Sequence, residues 1–126
     1  MKTEKIKTEQ IVNLTPHELV LFVGGNTIKF PSEGVIRVSE VTEVVQNEPM
    51  RVVRKKLSNV DDAGLELVKE HIKKGKYVVV SMLTAKALKE QLTKDEQKHI
   101  LIVGETVRDE RGRIIGAKSL AVVDTL

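Results

Sequence analysis

A chain of 126 residues is the size of one domain, and with 40% hydrophobic and 31% charged residues it has the mixture of a soluble fold. The absence of cysteine excludes disulfides, thiolate catalysis and Cys-ligated zinc. Only 2% of residues are aromatic, so an aliphatic core is expected, and the scarcity of aromatic planes argues against base stacking as a binding mode.

The net charge is +3, from 21 basic and 18 acidic residues. Its basic runs, Arg51–Lys56 and Lys73–Lys76, are short and flank or alternate with apolar elements, which reads as solvated edges rather than a nucleic-acid face. No apolar run reaches the length of a membrane span, and the N-terminus has no signal-peptide h-region, so a cytoplasmic location without membrane contact is expected.

Residues 1–10 are charged and mixed in sign, and read as a solvated tail or a weak edge strand ahead of a single domain over 11–126. Ile11–Leu14 and Leu19–Val23 are short apolar runs split by Thr15-Pro16, and Gly24-Gly25-Asn26 tolerates the positive φ of a hairpin turn. Thr27–Phe30 returns, residues 31–34 turn again, and Val35–Ser39 continues as a strand with Ile36 and Val38 on one face. Two hairpins in about thirty residues predict an antiparallel meander.

The period then changes. Ser58–Asp62 is a polar entry to a helix, Leu65, Val68 and Ile72 recur at helical spacing, and Gly75 follows two lysines as a C-terminal stop. Tyr77–Val80 is a continuous apolar run of the kind found in strands covered on both faces. Thr84 is read as the cap of a second helix over Ala85–Leu92. Ile100–Val103 is another buried strand, and Thr106–Val123 a hairpin turning at Asp109–Gly112. The expected fold is α+β, a single-domain mixed sheet with hairpins and one or two packed helices.

Three polar constellations stand out. In Thr15-Pro16-His17-Glu18 the spacing matches a capping box, yet the run after it is too short and strand-like to extend a helix, so a turn or a single helical turn with His17 pointing outward is expected. Asn13 suits the same turn, and a histidine titrating near neutrality suits ligand contact or base chemistry. Ser81 and Thr84 place two hydroxyls at a strand-to-helix junction, where helix N–H groups face ligands in α/β sheets. Glu105 and Arg108 belong to a charged cluster around the turn of the last hairpin, where an arginine fork suits a phosphate or carboxylate. The three histidines lie on separate elements without ligand spacing, so neither a metal nor another cofactor is expected, and His71 and His99 read as surface positions.

Taken together, Asn13–His17 (N-L-T-P-H), the strand Tyr77–Ser81 and Arg108–Gly116 (R-D-E-R-G-R-I-I-G) resemble a family of small, mostly uncharacterised bacteriophage and prophage proteins. The segment His99–Glu105 departs from it, being more strand-like than the shorter, proline-containing link of relatives. The resemblance implies a phage origin and a host-cell cytoplasmic setting, and shifts expectation toward virion parts, inhibitors of host enzymes, or proteins that sequester signalling nucleotides. The leading expectation is a non-enzymatic binder of a small, nucleotide-like anion through Asn13, Thr15, His17, Ser81, Thr84, Glu105 and Arg108. Its pocket would be completed in a homo-oligomer. The alternative is a structural or protein-binding phage component, and the third reading a hydrolase with His17 as base.

Overall fold

In a computed structural model, which describes residues 5–38 and 40–123, the runs around Val78 and Leu101 form the middle of the molecule. In chain order, a 3₁₀ turn (Thr8–Gln10) leads into β1 (Ile11–Asn13), β2 (Leu19–Val23), β3 (Asn26–Phe30), β4 (Glu40–Gln46) and β5 (Val52–Leu57). Then come α1 (Asp62–Lys73), β6 (Tyr77–Val79), α2 (Met82–Gln91), a short α3 (Lys94–Gln97), β7 (Ile100–Val103), β8 (Thr106–Arg108), β9 (Ile114–Ala117) and β10 (Leu120–Val122).

The central sheet has the order β1-β6-β7-β10, with β1, β6 and β7 parallel and β10 antiparallel at one edge. Strand alternation sorts its side chains into two layers. Val12, Val78, Val80, Ile100 and Ile102 pack with Val68, Ala85 and Leu88 of α1 and α2. Val79 and Leu101 point the other way, onto Leu19, Leu21, Phe30 and Ala117 of a second sheet, ordered β3-β2-β9-β8. Helices, central sheet and outer sheet are thus stacked as three layers. The central strands are covered on both faces, which is why Tyr77–Val80 and Ile100–Val103 are unbroken apolar runs. The fold is α+β in one small domain.

Several expectations change on the way. The first two apolar runs do not form a meander: β1 pairs parallel with β6 in the central sheet, whereas β2 and β3 form a hairpin in the outer one. Residues 35–38 run without sheet pairing, although Ile36 is buried in the core; Ser39, the end of that expected strand, lies outside the described residues. The strand comes later, as β4, paired antiparallel with β5 in a third, two-stranded sheet. Of residues 1–10, the last three form the 3₁₀ turn, and Gln10 Nε2 donates to Gly75 O at 2.9 Å; residues 1–4 and 124–126 lie outside the described ones.

The helix ends follow capping chemistry. Asp61 caps α1, its carboxylate accepting from Gly64 N at 2.7 Å, and Gly75 (φ +76°) follows the last turn in the left-handed conformation that glycine adopts without strain. At α2 the cap is Ser81 rather than Thr84, because Ser81 Oγ accepts from Thr84 N and the helix begins at Met82.

Candidate functional site

Asn13 ends β1 on the side facing the outer sheet and is completely buried. A buried amide must use its donors and acceptor, and this one does. Nδ2 donates to His17 O at 2.8 Å and to Phe30 O at 3.0 Å, while Oδ1 accepts from Thr15 N at 3.0 Å and from the Thr15 hydroxyl at 2.6 Å. Ser32 Oγ closes the knot from the next turn by donating to Thr15 O at 2.6 Å. Residues 15–17 therefore bend without a helical turn, and the expected capping box does not form because the Thr15 hydroxyl is turned back onto Asn13. His17 is exposed at the apex.

The second constellation is also internally bonded. Ser81 Oγ donates to Thr84 Oγ1 at 3.0 Å, and Thr84 Oγ1 donates to Ile36 O at 3.0 Å, tying the buried start of α2 to the unpaired segment beside it. Thr15, Ser81 and Thr84 share one cleft, of about 240 Å³, with Arg37, Leu14 and Leu83 among its other walls. That joins two of the three sequence constellations. His17, Glu105 and Arg108 do not line it. The cleft is below the roughly 300–1,000 Å³ usual for small-molecule sites. A second hollow of about 420 Å³, at the foot of the β4–β5 hairpin, is lined by Lys56, Lys86 and Glu90 among others, and holds none of the residues selected from sequence.

The third constellation builds its own turn. Asp109 accepts from the backbone N–H of Arg111 and Arg113, both at 2.9 Å, and its other oxygen meets Arg113 Nε at 3.0 Å. These bonds, led by the Arg113 N–H, hold the Asp109 carboxyl below its ordinary pKa, because they favour the charged form. Arg108 Nη1 donates to Gly112 O across the same turn at 2.7 Å. Glu105 is exposed, and its backbone N–H donates to Ser119 Oγ at 2.9 Å.

The other two histidines are half-buried rather than on the surface. His99 Nδ1 lies 2.9 Å from Lys76 O, and its ring stacks on Tyr77 with centroids 4.6 Å apart. His71 Nδ1 is buried without a hydrogen-bond partner, and burial, then Lys76 and Lys74, lower the pKa of its ring. Among the described residues no group of three or more His, Asp or Glu side chains is placed to hold a metal ion, and no helix is long and apolar enough to cross a membrane.

The feature that sequence reading passed over is the β4–β5 hairpin. Its side chains from Val41 to Lys56 are all exposed, including Val41 and Val45 at 54% and Met50 at 63%. Glu43 on β4 faces Arg54 on β5, Val44 faces Val53, and Glu43 reaches Arg54 and Lys56 at 3.9 and 3.6 Å. The signal was in the sequence: Val41, Val44, Val45, Val52 and Val53 are five β-branched residues in two short runs. Comparison with protein-family models, with curated proteins and with solved structures returns no match for this chain.

Proposed function

We propose that this chain is a non-enzymatic, phage-type structural or protein-binding component, acting in the cytoplasm and making its contacts through the β4–β5 hairpin. One observation carries the reading: an isolated two-stranded ribbon, marginal by itself in water, holds six large apolar side chains (Val41, Val44, Val45, Met50, Val52 and Val53) in solvent. The side chains of Asn13, Thr15, Ser81, Thr84 and Arg108, by contrast, are bonded within turns and caps. The ends of the hairpin are adjacent, Glu40 opposite Leu57, so residues 40–57 can be replaced by a short Gly-Ser link. The shortened protein keeps its melting temperature, and native mass spectrometry of material from expressing cells shows it stripped of the complexes formed by the full chain. Retention of every complex by the shortened protein counts against this reading.

A second reading, a binder that sequesters a small nucleotide-like anion, is favoured by the shared cleft of Thr15, Ser81 and Thr84 with Arg37 at its edge. It predicts stabilisation in a thermal-shift panel of nucleotides and cyclic nucleotides, about 2.7 kcal/mol at a hundredfold excess over Kd. If no member of the panel moves the transition, this reading fails and the hairpin reading stands alone. A hydrolase using His17 ranks below both, because its ring is exposed at a turn apex, outside the cleft that holds the hydroxyls.

A further inference from the structure

We infer that the occupant of the hairpin is a second copy of this chain, with β5 of one molecule pairing antiparallel to β4 of the next. The inference rests on the hairpin reading above and narrows it to one partner. Its basis is the division of charge between two edges that no other described strand covers. β5 carries Arg54, Lys55 and Lys56 in succession, whereas the mid-strand charge of β4 is Glu43. Bases on an edge strand ordinarily discourage pairing between edges, and here they oppose β5 against β5, which would set three bases against three. They do not oppose β5 against β4.

The internal register of the hairpin shows what such a pairing offers. Within one chain Glu43 lies opposite Arg54, Val44 opposite Val53, and Thr42 opposite Lys55. A neighbouring copy laid alongside by translation puts its own β4 against the outer edge of β5 in the same sense. The same cross-strand pairs then repeat between molecules, acid on base and valine on valine. A two-strand ribbon becomes a sheet of four or more strands, which is the size at which antiparallel ribbons hold together. Each copy offers one β4 edge and one β5 edge, so the contact is head-to-tail and propagates until a ring closes or a filament grows.

Charge reversal tests this with the full chain. Sedimentation velocity over a rising concentration series should show the wild-type protein heavier than a monomer. Glu43→Lys and Arg54→Glu, each alone, place like charges across the contact, and also across the same pair within the hairpin. Because that exposed internal pair contributes little to the hairpin itself, each variant should sediment as a monomer with unchanged far-ultraviolet circular dichroism. Mixing the two variants restores opposite charges at each junction and should restore association. At one junction the introduced lysine of the first variant meets the introduced glutamate of the second, and at the next the retained Arg54 meets the retained Glu43. A wild-type protein that stays monomeric throughout overturns the inference, as does association that survives both single variants, or a mixture that stays monomeric. Where the purified chain is monomeric yet the hairpin is still required for complexes from cells, the self-association is wrong and the broader protein-binding reading survives.

Discussion

The turn at Asn13 and the hairpin β4–β5 invert the usual placement of residues. In the first, a polar side chain is completely buried; in the second, valines and a methionine lie in solvent. Burial of the amide is tolerated because each of its polar atoms has a partner, so the knot fixes how β1 leaves the central sheet and how the chain enters β2. Exposure of the valines has no such internal compensation. The conspicuous N-L-T-P-H stretch spends its Asn13 and Thr15 side chains on a turn, while a stretch without any motif holds valines in solvent, and it is on those valines that the proposed contacts rest.

The largest effect is expected from Asn13→Ala. It leaves Phe30 O and the Thr15 N–H without their bonds inside the fold, and should destabilise the protein by about 3 kcal/mol in urea unfolding. A loss of less than about 1 kcal/mol would show that water readily replaces the amide. Gly116→Ala should come next, at about 2 kcal/mol, because a Cβ there would stand 2.5 Å from Phe22 Cε2 and 2.9 Å from Val20 O where β9 pairs with β2. Replacing Val44 and Val53 by threonine retains β propensity and should leave monomer stability within about 0.5 kcal/mol, while weakening whatever association the hairpin mediates. Equal losses of stability at Asn13 and at these valines would erase the distinction between the two regions. His17→Ala, at an exposed apex, should also stay within about 0.5 kcal/mol; if the anion-binding reading holds, it weakens nucleotide binding without moving the melting temperature.

The pH dependence sharpens the picture at the other end of the central sheet. The pKa of the His71 ring is lowered in the folded state, chiefly by burial, so below its ordinary value of 6.5 the unfolded chain takes up a proton that the folded chain resists. Stability is therefore full above pH 6.5 and falls as the pH drops through the lower folded value. His71→Gln should flatten that part of the thermal-stability profile. Asp109, also lowered but from 3.8, acts in a separate window: its contribution is present above pH 3.8 and is lost as the pH falls further. A profile through the upper window that is the same with and without His71 would show that the ring stays solvated.

Much of the body was legible in the chain. The helical spacing of Leu65, Val68 and Ile72, the stop at Gly75 and the unbroken runs around Val78 and Leu101 each reflect a local preference that agrees with its tertiary setting, so α1, β6 and β7 fall where periodicity puts them. The cap of α2 is ambiguous by three residues in the sequence because Ser81 and Thr84 are both good caps, and only the bond from Thr84 Oγ1 to Ile36 O shows which hydroxyl is committed to the core. The strand β4 is ambiguous for a related reason. Residues 40–46 mix valine with glutamate, threonine and glutamine, a pattern that makes a strand only when β5 supplies its hydrogen bonds.

For the candidate site the division is sharper. Residue types alone determined that Cys chemistry is absent, that the core is aliphatic, and which hydroxyls, histidines and arginines were available as donors. They also determined that Asn13-Leu14-Thr15-Pro16 would turn, since proline and the Asn side chain act on the backbone within a few residues. Which of those donors remained for a ligand was decided by the tertiary structure. Asn13 bonds to Phe30, seventeen residues away, and Thr84 to Ile36, forty-eight away, and contacts at that separation leave no periodic trace in a single chain. The same is true of exposure: a valine in β4 and a valine in β6 are identical by sequence, and only the layers stacked on β6 bury the one and leave the other in water.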